Sequence, residues 1–396
     1  MRWPRGWPYP SALALLEGTG INYLLVKKSS GFEKVEGVEV GEAAPSGAVM
    51  VPGVWPGIRI SPGNGAALSS GPTGVPWVDS NGWIARLAAR QHPGAAIWID
   101  APPKGPRLFA RSYQTAIADA AARGGQWILA LDDELAAGIA ARRPAAIDIW
   151  KEIGAATNFF AAHRAWAGYQ PEAVIGVVSD FSGDNEILNL LDRSNEQYRI
   201  ILKNGAAAAS FRGLRAVLYP DAAAPSPALR RDILAFVENG GLLIASPEWG
   251  AAGRPALGVD HPRFILRTLG KGRVAIAREA MDDAYLVAND AVVLVSHRHD
   301  LVRFWNGGAV GSYLTMSPDR RHALLQMLFY SERGGNLQRG AQGDAITVQV
   351  AGRFRAAKLW TLDQSAPRDV EMAPVRDGTE LHLPDVSGYN AVELTI

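Results

Sequence analysis

The chain reads as an α/β protein in three parts: a reduced or partial (β/α) barrel, a doubly wound parallel domain, and a C-terminal antiparallel β-sandwich. Three observations predict this. Residues 171–247 alternate near-continuous apolar runs with helical stretches, the pattern of buried parallel strands. Residues 1–170 repeat strand-then-helix and hold nine of the twelve tryptophans, which sets them apart from the rest. The tail alternates apolar and polar residues between turn signals, as half-buried antiparallel strands do. A length of 396 residues exceeds one ordinary core, and the expected units are 1–170, 171–330 and 331–396.

In the first unit the expected strands are INYLLVK (Ile21 to Lys27), AVMVPGVW (Ala48 to Trp55), AIWIDAP (Ala96 to Pro102) and WILALDD (Trp127 to Asp133). The expected helices cover 83–91, 113–123 and 145–166, the second ending at Gly124-Gly125. A full eight-fold barrel takes about 250 residues, so this one is shortened. The Pro/Gly-rich run 52–76 reads as a long loop. In the second unit the strands are AVIGVVSDF (from Ala173), YRIIL (from Tyr198), RAVLYPDA (from Arg215) and GLLIAS (from Gly241). A helix runs between Ser226, placed as an N-cap with Pro227 behind it, and the stop at Gly240. Beyond Pro255, residues 278–303 and 320–330 read as partly helical, and 345–352, 355–362, 379–384 and 391–396 as strands.

Composition excludes several functions. Net charge is +1 with no basic block, so no nucleic-acid partner is expected. No apolar run reaches the roughly 20 residues that span a bilayer, so no membrane partner is expected. With no cysteine there is no disulfide, thiolate metal site or cysteine nucleophile. The start MRWPRGWPYPSALALLEG is not a signal peptide, so the location is cytoplasmic, or periplasmic or secreted if a leader was trimmed. His297, Arg298, His299 and Asp300 form the one histidine cluster, read as a surface or interface group rather than a metal site. Gly270 to Gly272 is a turn, and GxSxG is missing, so neither a phosphate loop nor an esterase elbow is present.

VVSDFSGDNEILNLL, RAVLYPDA and LRRDILAFVENGGLLI together resemble the class I glutamine amidotransferase-like domain that serves as the β-galactosidase trimerisation domain. GKGRVAIA and the closing strands resemble the region C-terminal to that domain in family 42 β-galactosidases. The resemblance spans roughly residues 173–396. It implies a catalytic barrel, a flavodoxin-like domain and a small β-sandwich in that order, a carbohydrate partner, and a possible homo-oligomer through the middle domain. Without cysteine, glutaminase chemistry is set aside. The family's acid/base is a Glu preceded by Asn at a barrel strand end. Here that pair occurs only at Asn185-Glu186 and Asn195-Glu196, inside the middle unit, so no catalytic residue carries over.

Candidate chemistry therefore comes from the residues themselves. Parallel α/β folds place active groups at the carboxyl ends of strands. Asp100 ends one expected strand, and Asp132, Asp133 and Glu134 end another. Glycoside cleavage needs two carboxyls, so Asp100 with Asp132 or Asp133 is the candidate pair, needing neither cofactor nor metal. The bland alternative is helix capping. Trp55, Trp77, Asp79, Asn81, Trp83 and Glu134 form the candidate sugar-binding surface, the alternative being a capped helix with buried indoles. In the loop 179–186, Asp180, Asp184 and Glu186 either approach the site mouth or, as the resemblance implies, pack the loop against the barrel or a neighbouring subunit, which is the preferred reading. The expected function is a glycoside hydrolase acting on an oligosaccharide or glycoside. The alternative is a non-catalytic carbohydrate-binding or assembly protein on a decayed hydrolase barrel.

Overall fold

The computed structural model describes residues 1–28, 31–32, 37–62, 68–72, 78–103, 108–183, 185–255, 261–305, 310–330 and 345–396. In the first unit β1 (Tyr23–Leu25) pairs in parallel with β2 (Glu39–Gly41). β3 (Ala48–Pro52) precedes a hairpin of β4 (Ile58–Pro62) and β5 (Leu68–Pro72), which occupies the run expected to be loop. Next along the chain are α1 (Gly82–Gln91), β6 (Ala96–Asp100), α2 (Ala110–Ala121), β7 (Gly125–Trp127), α3 (Asp133–Ala140) and α4 (Pro144–Ala162). β3, β6 and β7 form one parallel sheet. The first residues of the chain tie the two groups together. Arg2 bridges Leu25, its amide donates to the Leu129 carbonyl at 2.8 Å, and Trp3 donates to Leu25 at 2.9 Å. The strands thus run β2–β1–(1–3)–β7–β6–β3, and β2 and β3 share no ladder among the described residues.

The four strands and the helix expected between residues 173 and 247 are present in the second unit. After β8 (Gln170–Pro171) come β9 (Ile175–Ser179), α5 (Glu186–Arg193), β10 (Tyr198–Leu202), β11 (Ala216–Tyr219), α6 (Pro227–Glu238), β12 (Leu242–Ala245), β13 (Arg254–Pro255), β14 (Phe264–Leu269), β15 (Gly272–Ala277) and α7 (Ala284–Val295). The sheet order is β10-β9-β11-β12-β15-β14-β13, parallel through β15, with two antiparallel edge strands. Every residue of β9, β11 and β12 is buried, because helices cover both faces. Ile175, Val177, Leu218 and Ile244 pack under α5 and α7, while Val178, Val217, Leu243 and Ala245 pack under α6. Each such side chain contributes about 1.5–3 kcal/mol by leaving water. α6 starts as expected, with Ser226 Oγ accepting from the Leu229 amide.

The last unit comprises β16 (Val302–Trp305), β17 (Val310–Met316), β18 (His322–Phe329), β19 (Ile346–Val350), β20 (Ala356–Thr361), β21 (Arg368–Asp369), β22 (Glu371–Val375), β23 (Gly378–Leu383) and β24 (Tyr389–Thr395). Residues 320–330 therefore form a strand, not the expected helix. Seven of the eight residues of β18 are buried, since both its faces are covered, and such a run carries no alternation to mark it as a strand. The sheets are β16-β19-β23-β22 and β21-β20-β24-β18-β17-β8, and strands from Val302 onward lie in them, ahead of the boundary expected at 331. Leu314, Met327 and Val392 of the larger sheet share a core with Val348, Leu381 and Leu383 of the smaller. On its other face Leu324, Leu328 and Ala391 pack against Ala118 and Ala122 of the α2 end and Phe159 of α4. The larger sheet is thus the wall against which the first unit leans.

A buried polar network also joins the units. Asn81 donates to Val54 O and accepts from the Val54 amide, both at 2.8 Å, and its own amide donates to Asp119 Oδ2 at 2.5 Å. Tyr330 of the last unit donates to Asp119 Oδ1 at 2.7 Å. Gly53 makes this approach possible, since a Cβ there would stand 2.8 Å from Asn81 Oδ1.

Candidate functional site

The sequence-derived carboxylates emerge at the carboxyl ends of β6 and beyond β7, as parallel strands dictate, and the oxygens of Asp100 and Asp132 are engaged structurally. Asp100 pairs with the Arg2 guanidinium through both oxygens. Asp132 is buried and caps α3, accepting from the Leu135 amide at 2.9 Å and from Tyr113 Oη at 3.0 Å. Tyr113 in turn accepts from the Asp132 amide at 2.9 Å, and burial pushes its phenol above the ordinary tyrosine range. Asp133 and Glu134 are exposed in the first turn of α3, where acidic residues favour the helix dipole. Asp132→Ala removes a cap and the acceptor of the buried Tyr113 hydroxyl proton. The expected result is a loss of about 2–3 kcal/mol in urea unfolding. An unchanged midpoint would deny Asp132 this role.

The expected sugar-binding surface is dispersed. Trp55 is only 6% exposed and wedged edge-on against Tyr113 and Trp127, at 5.2 and 5.0 Å between centroids. Asn81 is fully buried in the network above, and Trp83 packs on the core of the doubly wound unit. Asp79 is half-buried, its carbonyl accepting from the Gly57 amide. Trp77 and Asp184 lie outside the described residues. The bland reading, a cap at Asp79 or Ser80 with buried indoles, differs in detail: Asn81 takes the cap position of α1 without a side-chain cap bond, and Trp83 is half-buried. At the carboxyl ends of the middle sheet, Lys203 pairs with Asp221 at 2.6 Å and Asp180 at 3.7 Å, while Ser179 Oγ donates to Asp221 at 2.5 Å. Glu186 accepts from Asn189 at 3.0 Å.

A cavity of about 480 Å³ opens at the opposite, amino-terminal ends of β1 and β7, against the end of α4 and the strands β17 and β18. Its aromatic walls are Trp98, Trp127, Trp166, Tyr23, Phe160 and Tyr169. Trp98 turns this way because Ile97 and Ile99, its neighbours on β6, point into the core. At the end of α4, His163 lies against Phe159 (centroids 4.3 Å, planes 30° apart) and Trp166 (4.2 Å, 34°), with Trp360 edge-on at 4.6 Å. His163 Nδ1 sits 2.8 Å from the Phe159 carbonyl. A carbonyl only accepts, so Nδ1 carries the proton and a neutral ring keeps Nε2 as its acceptor. The polar lining adds Asn22, Arg123, Gln126, Arg164 and Gln326, and no Asp or Glu is among the described lining residues. Gln326 donates to Ala122 O at 2.8 Å and accepts from Tyr389 Oη at 2.7 Å.

Sequence reasoning missed this cavity. The available signal was the aromatic spacing of Phe159, Phe160, His163 and Trp166, which reads equally as a packed helix face. Among the described residues no three His, Asp or Glu side chains gather to hold a metal. His297 instead pairs with Asp300 at 3.1 Å. No helix of the described residues is long and apolar enough to cross a membrane.

No family model and no curated relative matches the sequence. Solved structures do match. An alpha-L-fucosidase isoenzyme 2 from Paenibacillus thiaminolyticus superposes with a TM-score of 0.53 at 12% identity, over 79% of this chain and 62% of that one. A beta-galactosidase from Rahnella sp. R3 gives 0.48 at 11% identity, over 80% and 57%, and one from Bacillus circulans gives 0.47 at 10%, over 78% and 61%. The chain thus spans about three fifths of the length of these proteins. At such identities the likeness is one of architecture: the chain has a glycoside hydrolase-like fold.

Proposed function

We propose that this chain binds a carbohydrate and does not cleave it. Its scaffold would be a reduced (β/α) barrel, a flavodoxin-like middle unit and a C-terminal antiparallel β-sandwich. The observation that carries the reading is the composition of the aromatic-lined cavity of about 480 Å³: three indoles, an imidazole and amides, with no carboxylate among its described lining residues. Indole and phenol faces offer apolar area to sugar C–H surfaces, and amides and imidazole bond to hydroxyls. Cleavage would need two carboxyls facing one bond, about 5 Å apart for retention or about 6.5–9.5 Å for inversion. Of the three candidates, Asp100 and Asp132 are held by Arg2, Tyr113 and the start of α3, and Asp133 stands exposed on the first turn of α3, away from the described cavity lining. The fold likeness to an alpha-L-fucosidase supports a saccharide as the ligand class.

Calorimetric titration with an oligosaccharide panel tests this, alongside nitrophenyl glycosides offered to wild type and Asp100→Asn. The expected results are saturable binding, weakened about tenfold or more by Trp166→Ala, and no turnover. Turnover that disappears in Asp100→Asn would restore the hydrolase reading and sink this one.

A further inference from the structure

We propose that the outward face of α7 joins two copies of this chain, paired antiparallel about a two-fold axis. This is independent of the saccharide reading. Ten of the twelve residues of α7 are apolar, and only Asn289 and Asp290 break the run. A helix that covers one sheet needs a single apolar stripe, with polar residues opposite. The inner stripe is present: Val287, Ala288, Ala291 and Val295 are at most 4% exposed and pack beside α5 on the sheet. The outward stripe is apolar as well. Leu286 is 40% and Val293 64% exposed, with exposed Asn289 between them. Spacings of three and four residues set these side chains in one line along the helix.

Charge and symmetry identify the occupant. α7 is acidic where it begins, with Asp282 and Asp283 exposed, and basic just past its end, with His297 and Arg298 exposed. Asp290 at its middle is already paired with Arg263 at 2.6 Å. Past the end of α7, Asp300 is shared by His297 and Arg303, which leaves the Arg298 charge in surplus. Two such helices laid antiparallel bring each acidic start to the other's basic end, whereas a parallel pair would set acid against acid. One register satisfies both patterns. Centred between Asn289 and Asp290, it sets Leu286 against the partner's Val293 and Asp282 against the partner's His297. A face that matches itself calls for a two-fold axis, since a three-membered ring joins two different surfaces. One helix pair is small beside the roughly 1,600 Å² of a standard interface, so the expected dissociation constant is micromolar.

Sedimentation equilibrium of the intact protein from about 1 to about 200 µM tests this across the micromolar range. The expected result is a monomer–dimer equilibrium. Val293→Glu should weaken it about tenfold or more while thermal unfolding stays unchanged, because this side chain stands mostly in water in the monomer. Asp282→Lys and Arg298→Glu should each weaken it, and a chain carrying both should recover it, since opposite charges then meet again. The chain has no cysteine, so Asn289→Cys supplies a single thiol beside the axis. Mild oxidation should link it to its own copy. Leu286→Cys should not link, because the register sets it roughly 10 Å along the axis from its own copy, too far for a disulfide. A monomer throughout, a trimer, or a dimer that survives Val293→Glu overturns the proposal. A double charge exchange that fails to restore the dimer, or Leu286→Cys linking faster than Asn289→Cys, overturns it as well.

Discussion

Glu196→Gln is expected to stabilise the protein at mildly alkaline pH and to flatten its loss of stability between about pH 5 and 8. Glu196 lies just past the end of α5, after Asn195 at φ +60°, with its amide bonded to Leu191 O at 3.0 Å. Its side chain is 5% exposed. Burial first, and the Asp300 carboxylate second, push its pKa from 4.5 up to about 8. The unfolded chain releases this proton near pH 4.5, whereas the folded chain keeps it until about pH 8. Between those values the unfolded state binds fewer protons, so stability falls as pH rises, then levels off. The contribution is complete below the lower value and gone above the upper one. Each tenfold in proton affinity is worth about 1.4 kcal/mol, which puts the whole loss on the order of 3–5 kcal/mol. Glutamine matches the neutral acid in shape and does not ionise. Urea midpoints at pH 5 and pH 9 for both proteins check this, and parallel curves would show that Glu196 does not titrate in this window. The residue also shows why an Asn-Glu pair is a poor guide here. Its raised proton affinity comes from packing where Gln197 locks onto Ser312 and Leu314, at a seam between units.

The middle unit was legible because its central strands β9, β11 and β12 are buried on both faces, so apolar runs, cap and glycine stop all report local structure. Tyr198 to Leu202 and the Ser226 cap needed nothing from elsewhere in the chain. The last sheets were harder, since His322 to Phe329 reads the same as a buried helix or a buried strand. The site was harder still. Strand direction accounts for the position of Asp100 at the end of β6 and of Asp132 past β7, but Arg2 stands ninety-eight residues from Asp100, and nothing local announces their pairing. Asp119 and Arg123, four apart in an alanine-rich helix, have the spacing of an exposed ion pair. Both are buried because strands from the far end of the chain cover that face, with Tyr330 bonded to Asp119. The cavity walls come from segments near residues 22, 98, 125, 163 and 326, so only the assembled fold brings them together.

Arg86→Ala is expected to cost about 3–5 kcal/mol and to loosen the join between all three units. Arg86 sits on α1 of the first unit and is 8% exposed. Its Nη1 donates to Asp192 of α5 at 3.0 Å and its Nη2 to the Tyr198 carbonyl at 2.5 Å. Its guanidinium lies 3.9 Å from the Tyr198 ring centre and 4.9 Å from that of Tyr313 in the last unit. Truncation leaves Asp192 buried, with one oxygen already lacking a partner, and strands a backbone carbonyl. The cost comes mostly from the orphaned charge, not from the lost attraction, because burying an ion pair carries its own desolvation penalty. Arg86→Met with Asp192→Leu should therefore recover most of the stability that Arg86→Ala loses. Nine tryptophans lie before residue 171, so indole fluorescence reports mainly on the first unit while far-ultraviolet circular dichroism reports on the whole chain. In wild type the two urea transitions should coincide, and in Arg86→Ala fluorescence should change first. A double substitution as unstable as the single one would mean that the pair itself, rather than the avoidance of a lone buried charge, holds the units together.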